Sequence, residues 1–148
     1  MTWKPNVTVA AVICRDDKYL LVEEDADYEV VFNQPAGHLE ENETLVDAVI
    51  REVMEETAWE FVPQSVTGIY LYTSPKVGIT YLRVCFAGVV GQHYPGNSLD
   101  DGILRTVWMS REELEANRYR TRSPLVIRCI DDYISGKEYP LDILSNIN

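Results

Sequence analysis

The chain has 148 residues, 46% hydrophobic and 25% charged, with 24 acids against 13 bases and a formal net charge of −11. A chain of this length buries roughly 70% of its unfolded surface, enough for one domain over residues 1–148, and the composition excludes gross disorder. The acidity speaks against a nucleic-acid polymer as partner and against a protein held electrostatically on a membrane.

The excess acid is local. Residues 23–60 hold 13 acids and one base, Arg51, whereas the remainder holds 11 acids and 12 bases. Any account of the charge must therefore lie in that stretch. Cys14, Cys85 and Cys129 are widely spaced within apolar runs and show no zinc-site pattern, so they read as buried, reduced thiols. The first residues lack the apolar core of a secretory signal, and no run of 18 apolar residues occurs. The expectation is a cytoplasmic protein, or one from which a targeting segment has been removed.

In chain order, Val7 to Cys14 is a valine-rich apolar run that predicts a buried strand. Arg15 to Lys18 is a polar turn, Tyr19 to Val22 a second strand, and Val30 to Phe32 a third. Asn33-Gln34-Pro35-Ala36-Gly37 reads as a loop. Glu43 to about Thr57 has no Pro or Gly and predicts a helix. Ile69 to Tyr72 and Ile79 to Val90 predict strands, His93 to Gly102 a loop, and Ile103 to Trp108 a last strand. Ser110 with Glu113 has capping-box spacing for a helix. Ser123-Pro124 starts another, which runs to about Ile134 and stops at Gly136. Mixed strands with two or three helices predict a layered α/β or α+β domain.

The helix after residue 43 carries an unusual pattern. With Glu52 at zero on a wheel of about 100° per residue, Glu55 falls near −60° and Glu56 near +40°. Leu45, Ala48 and Val49 share that face, so the acids continue an apolar stripe. Val46, Ile50 and Val53 form a second stripe, near +100° to +160°. Like charges at i, i+4 repel by a few tenths of a kcal/mol, and late carboxylates oppose the helix dipole by about 0.3–1 kcal/mol each. A divalent cation reverses both terms. A solvated acidic face paired with Arg51 is the alternative.

The spacing favours the cation. Gly37, then five residues, Glu43, then seven residues, then Arg51-Glu52-Val53-Met54-Glu55-Glu56-Thr57-Ala58-Trp59 resembles the Nudix box, G-x5-E-x7-R-E-U-x-E-E-x-G-U, where U is bulky and apolar. Six fixed positions match, a coincidence expected about once in 10⁵ chains of this length at ordinary residue usage. Ala58 stands where the pattern has its second Gly, a position at which a left-handed conformation costs a Cβ roughly 1–2 kcal/mol. Trp3 to Ala10, Asn33 to Glu40, Arg122 to Val126 and Tyr139 to Asp142 extend the likeness to the NudJ-type phosphatases of that family.

The resemblance implies an αβα sandwich with a mixed sheet between helices. It implies hydrolysis of diphosphate linkages in nucleoside di- and triphosphates with Mg²⁺, or Mn²⁺ as its substitute. For the NudJ type it implies the thiamine precursor hydroxymethylpyrimidine pyrophosphate as a further substrate. The metal ligands would be Glu52, Glu55, Glu56 and the Gly37 carbonyl, with Glu52 deprotonating the attacking water. Glu43 and Arg51 would orient those ligands. Asp101, preferred to its neighbour Asp100, would assist from the loop before the last strand. His38, Arg83 and Arg122 would be substrate contacts, and Trp3, Phe32, Tyr70 and Tyr72 candidates for stacking on a base. The partner would be a small phosphorylated molecule, and the chain a monomer or homodimer. The competing readings are a sugar-nucleotide or dinucleotide pyrophosphatase, an isoprenyl diphosphate isomerase, and a non-catalytic nucleotide sensor. The sensor would be expected to lack box glutamates, and all are present.

Overall fold

The apolar run near the N-terminus forms β1 (Asn6–Arg15), the centre of the architecture. The computed structural model describes residues 1–147. Val9, Ala11 and Ile13 of β1 face one core, and Ala10 and Val12 face another. Burial on both faces explains why the run does not alternate in polarity. Strands β2 (Lys18–Ala26), β3 (Glu29–Asn33), β4 (Ala36–His38), β5 (Trp59–Thr73), β6 (Thr80–His93) and β7 (Ile103–Ser110) complete a seven-stranded sheet of order β3-β2-β1-β6-β5. β4 pairs with β1, and β7 with β2. Only the β1–β6 pairing is parallel, so the sheet is mixed.

Helix α1 (Leu45–Thr57) covers one face through Ala48, Val49 and Val53. Helices α2 (Arg111–Ala116) and α3 (Leu125–Ile134) cover the other through Leu114, Val126, Ile127, Cys129 and Ile130. The expected helix–sheet–helix layering is therefore observed. All three cysteines are free; Cys85 and Cys129 are buried and Cys14 partly so. Among the described residues no helix is long and apolar enough to cross a membrane.

Local chemistry accounts for most element ends. Thr44 accepts a hydrogen bond from the Asp47 N–H at 3.0 Å, so α1 starts at Leu45, slightly later than Glu43. Ser110 and Glu113 make both bonds of the capping box. The Ser123 hydroxyl accepts from the Leu125 N–H at 3.2 Å, and Gly136, at φ 90°, lies just past the end of α3.

Three expectations are corrected. β5 begins at Trp59, ten residues before Ile69, because three register shifts and Pro63 break the alternation that marks a strand. Ala36 and Gly37, expected in a loop, form β4 with His38 against β1. Ile50 is 37% exposed, so the second apolar stripe of α1 is covered only at Val53 and partly at Val46.

Candidate active site

Helix α1 delivers the acids and β4 delivers the loop that meets them. Glu52 and Glu56 are each only 8% exposed, while Glu55 is half-buried. The acidic face of α1 is thus turned inward, as the wheel requires. Gly37 lies so close to Glu52 that a Cβ there would fall 2.1 Å from the Glu52 carboxyl carbon. Only glycine lets this strand pass the helix at that distance. The adjacent Ala36 N–H donates to Glu56 Oε1 at 3.0 Å.

Arg51 ties the acids together. Its Nε and Nη2 donate to Glu43 Oε2 and Oε1, both at 2.8 Å, a bidentate pair. Its Nη1 donates to Glu52 at 2.7 Å and Glu55 at 3.2 Å, and Nη2 also reaches the His38 carbonyl at 3.0 Å. Glu43 in turn accepts the Glu40 N–H at 2.9 Å. The Arg51 guanidinium holds the Glu43 carboxyl below its ordinary pKa. Burial raises Glu52, against the pull of Arg51. Burial and then the Asp100 carboxylate raise Glu55. Glu56, the most enclosed, is pushed by burial up to about 8, against the Ala36 hydrogen bond. One arginine does not compensate this many acids.

A fourth acid arrives from the loop before β7. One oxygen each from Glu52, Glu55 and Asp100 lie within 4.8 Å of one another, a geometry that could hold a metal ion. The loop is fixed there by the Asp100 N–H, which donates to the Glu55 carbonyl at 3.0 Å. Of the two loop acids, Asp100 rather than Asp101 is the one gathered with Glu52 and Glu55. Among the described residues that three-acid group omits Asp101, which is exposed in the turn just before Gly102.

The remaining expected residues scatter around this centre. His38 is exposed at the end of β4 and offers its carbonyl to Arg51. Arg122, also exposed, donates to Glu24 at 2.7 Å. Arg83 is buried and donates to Gln34 and Asn33 rather than to open solvent. Glu24 and Gln34 were not among the expected site residues, Glu24 entering only as one of the acids of residues 23–60 and Gln34 only within the Asn33–Glu40 block. Among the aromatics, Trp3 is exposed, Phe32 is core, and Tyr70 and Tyr72 line a hollow of about 560 Å³ with Pro124, Leu125 and Arg128.

Comparison with known proteins identifies the family. The NUDIX domain family model matches residues 4–128. The chain belongs to the Nudix hydrolase family. It is 41% identical over 147 residues to the Escherichia coli K12 protein Phosphatase NudJ, covering 99% of this chain and 94% of that one. A NUDIX hydrolase from Nitrosomonas europaea is 52% identical and superposes with a TM-score of 0.95, covering 97% of this chain and 98% of its own. The MutT NUDIX hydrolase from Burkholderia pseudomallei, at 16% identity and a TM-score of 0.75 over 88% of this chain and 98% of its own, shares the fold. This Nudix chain is thus a hydrolase of phosphoric anhydrides, similar to the NudJ phosphatases. Nudix enzymes generally use divalent metals, and the hard carboxylate oxygens gathered here fit such an ion.

Proposed function

We propose that the chain, acting as one domain, hydrolyses diphosphate linkages in nucleoside di- and triphosphates and related small pyrophosphates, with Mg²⁺ as cofactor and Mn²⁺ as a substitute. The observation that carries this reading is the convergence of Glu52, Glu55 and Asp100 within 4.8 Å, beside a glycine that must stay bare. When bound, the ion offsets phosphate charge and acidifies water. Glu52, Glu55 and Asp100 would hold it, together with the Gly37 carbonyl, whereas Glu56, the other expected ligand, lies outside that three-acid group.

The chain's own groups divide the remaining work. Glu52 accepts the proton of the attacking water, its carboxylate held in place by the Arg51 donor at 2.7 Å. Glu56 holds the β4 backbone at Ala36 and, once ionised, adds negative charge toward the same ion. Arg51 and Glu43 keep Glu52 and Glu55 oriented. The hollow at Tyr70 and Tyr72 supplies apolar rings for the part of the substrate that carries no phosphate. A hollow lined by tyrosine rings suits the base of a nucleotide or the pyrimidine of hydroxymethylpyrimidine pyrophosphate, the substrate that the NudJ-like character suggests. We place the enzyme in the cytoplasm, working as a monomer or homodimer on small molecules rather than on nucleic acid.

A panel of nucleoside di- and triphosphates, hydroxymethylpyrimidine pyrophosphate, sugar nucleotides and dinucleotides, assayed with Mg²⁺, tests the reading. Orthophosphate or pyrophosphate release from the first two groups supports it. Turnover confined to sugar nucleotides or dinucleotides overturns the substrate assignment. Metal-dependent binding without turnover would make the chain a sensor.

A further inference from the structure

Behind the β4 loop lies a set of buried polar groups that the chemistry above does not use. Arg83 sits on β6 between Thr8 of β1 and Tyr70 of β5, and is 6% exposed. Among the described residues it makes no ion pair. Its Nη1 donates to Gln34 Oε1 at 3.0 Å and approaches Cys129 Sγ at 3.9 Å, and its Nη2 donates to Asn33 Oδ1 at 3.4 Å. Its Nε is buried without a partner. Gln34 is 1% exposed, and its Nε2 donates to the Val126 carbonyl of α3 at 2.6 Å. Burying a guanidinium against neutral amides is costly, and such a cost persists where the geometry it secures is needed.

The geometry it secures is that of residues 33–37. β4 is held to β1 by only three register pairs, Thr8 with His38, Val9 with Gly37 and Ala10 with Ala36. That ladder, with the Ala11 N–H donating to the Pro35 carbonyl at 3.0 Å, fixes the segment within the plane of the sheet. Out of that plane, β4 is joined to α1 by the Ala36 N–H on Glu56 and by Arg51 on the His38 carbonyl. Gln34 and Arg83 act in that direction, joining the segment to α3 and, across β1, to β6 of the same sheet.

We propose that Arg83 and Gln34 are positioning residues, a buried tether that holds Ala36 against Glu56 and Gly37 against Glu52. The inference rests on the hydrolase reading only for its consequence in metal binding; the tether itself is a property of the metal-free fold. Arg83 thereby serves the site from behind rather than touching substrate.

The test uses the full chain with Arg83→Met, Gln34→Met and the double variant, and Arg83→Lys as the conservative change. In metal-free protein, amide hydrogen exchange at Ala36 is expected to rise 10-fold or more while exchange at Val12 and Cys129 stays within twofold. Mn²⁺ affinity, read by the spectroscopic signal of the free ion, is expected to fall at least 10-fold. The turnover number is expected to drop with KM changed less than threefold. The double variant is expected to lose less than the sum of the two singles, because both remove the shared Arg83–Gln34 bond, while each also removes one of its own, to Asn33 and to Val126. Arg83→Lys, which offers one point donor instead of a fork, is expected to fall between, and it carries the test if Arg83→Met does not fold. Unchanged Ala36 exchange, additive losses, or a raised KM with wild-type Mn²⁺ affinity would each overturn the tether. Wild-type protein that binds no Mn²⁺ would instead count against the hydrolase reading and leave the exchange result to decide the tether alone.

Discussion

Gly37→Ala is the most direct probe of how tightly the β4 strand and helix α1 are matched. A Cβ at residue 37 would lie 2.1 Å from Glu52 Cδ, 2.2 Å from Oε1 and 2.4 Å from Oε2, against ordinary contact at 3.4 Å or more. The carboxyl must therefore retreat by about 1.3 Å, the difference between 3.4 and 2.1 Å. Residue 37 is not among those at positive φ, so alanine meets no backbone penalty there. The clash is with the movable end of a side chain, which limits the cost to stability to about 1–3 kcal/mol. The functional cost is larger, since misplacing a reacting group by about 1 Å can lower a rate 10²-fold. Turnover with Mg²⁺ should fall about 10²-fold or more, while the melting temperature drops by about 2–4 °C per kcal/mol lost. A variant that keeps more than a third of wild-type turnover would refute the argument that this contact sets the position of Glu52.

Three further outcomes are expected. Glu56 titrates near 4.5 in the unfolded chain but at about 8 when folded, because burial disfavours its charge. Between those values the unfolded chain releases a proton that the folded chain keeps, so stability declines as pH rises, by roughly 4–5 kcal/mol at most. In a chelator, Glu56→Gln should melt higher than wild type at pH 8 and equally at pH 4.5, yet lose Mg²⁺-dependent turnover by about 10²-fold; equal melting at both pH values would contradict the burial argument. Arg51→Lys should cost the metal-free protein about 2 kcal/mol in urea unfolding, since an ammonium cannot reproduce the fork to Glu43 or reach Glu52 and Glu55 together. Asp100→Asn should weaken Mn²⁺ binding at least 10-fold by calorimetry and Asp101→Asn less than twofold, and the reverse order would return the loop acid to Asp101.

The parts of the fold legible in the sequence were those governed by local periodicity or capping chemistry. The box spacing and the wheel of α1 gave the inward face of Glu52 and Glu56, because a helix sets those angles without tertiary help. The Ser110–Glu113 cap was readable for the same reason. The start of β5 was not, since its register shifts erase period-2 alternation. Which of Asp100 and Asp101 lies beside the glutamates was also beyond sequence reading. It turns on one backbone bond from Asp100 to the Glu55 carbonyl, and no pattern of side chains encodes that. Arg83 on an apolar strand was expected to contact substrate, and its hydrogen-bond partners were not legible, since Asn33 and Gln34 lie 50 and 49 positions away. Ala58 adopts φ 60° and ψ 21° at the end of α1, so the chain leaves the helix as a glycine would and the departure from the box pattern leaves the cap intact.

The double duty of β1 has a consequence for how such a chain can change length. This strand is flanked by β6 along one edge and by β4, then β2, along the other, and its two faces feed separate cores. An insertion or deletion of one residue within Val7–Ile13 would exchange the contents of both cores at once. It would also slide Gly37 about 3.3 Å along its neighbour Val9, away from Glu52. The two-residue turn at Asp16 and Asp17, by contrast, bears on none of these contacts. β1 thus acts as a fixed ruler for the whole molecule, and variation in length should collect at the hairpin tips rather than along it.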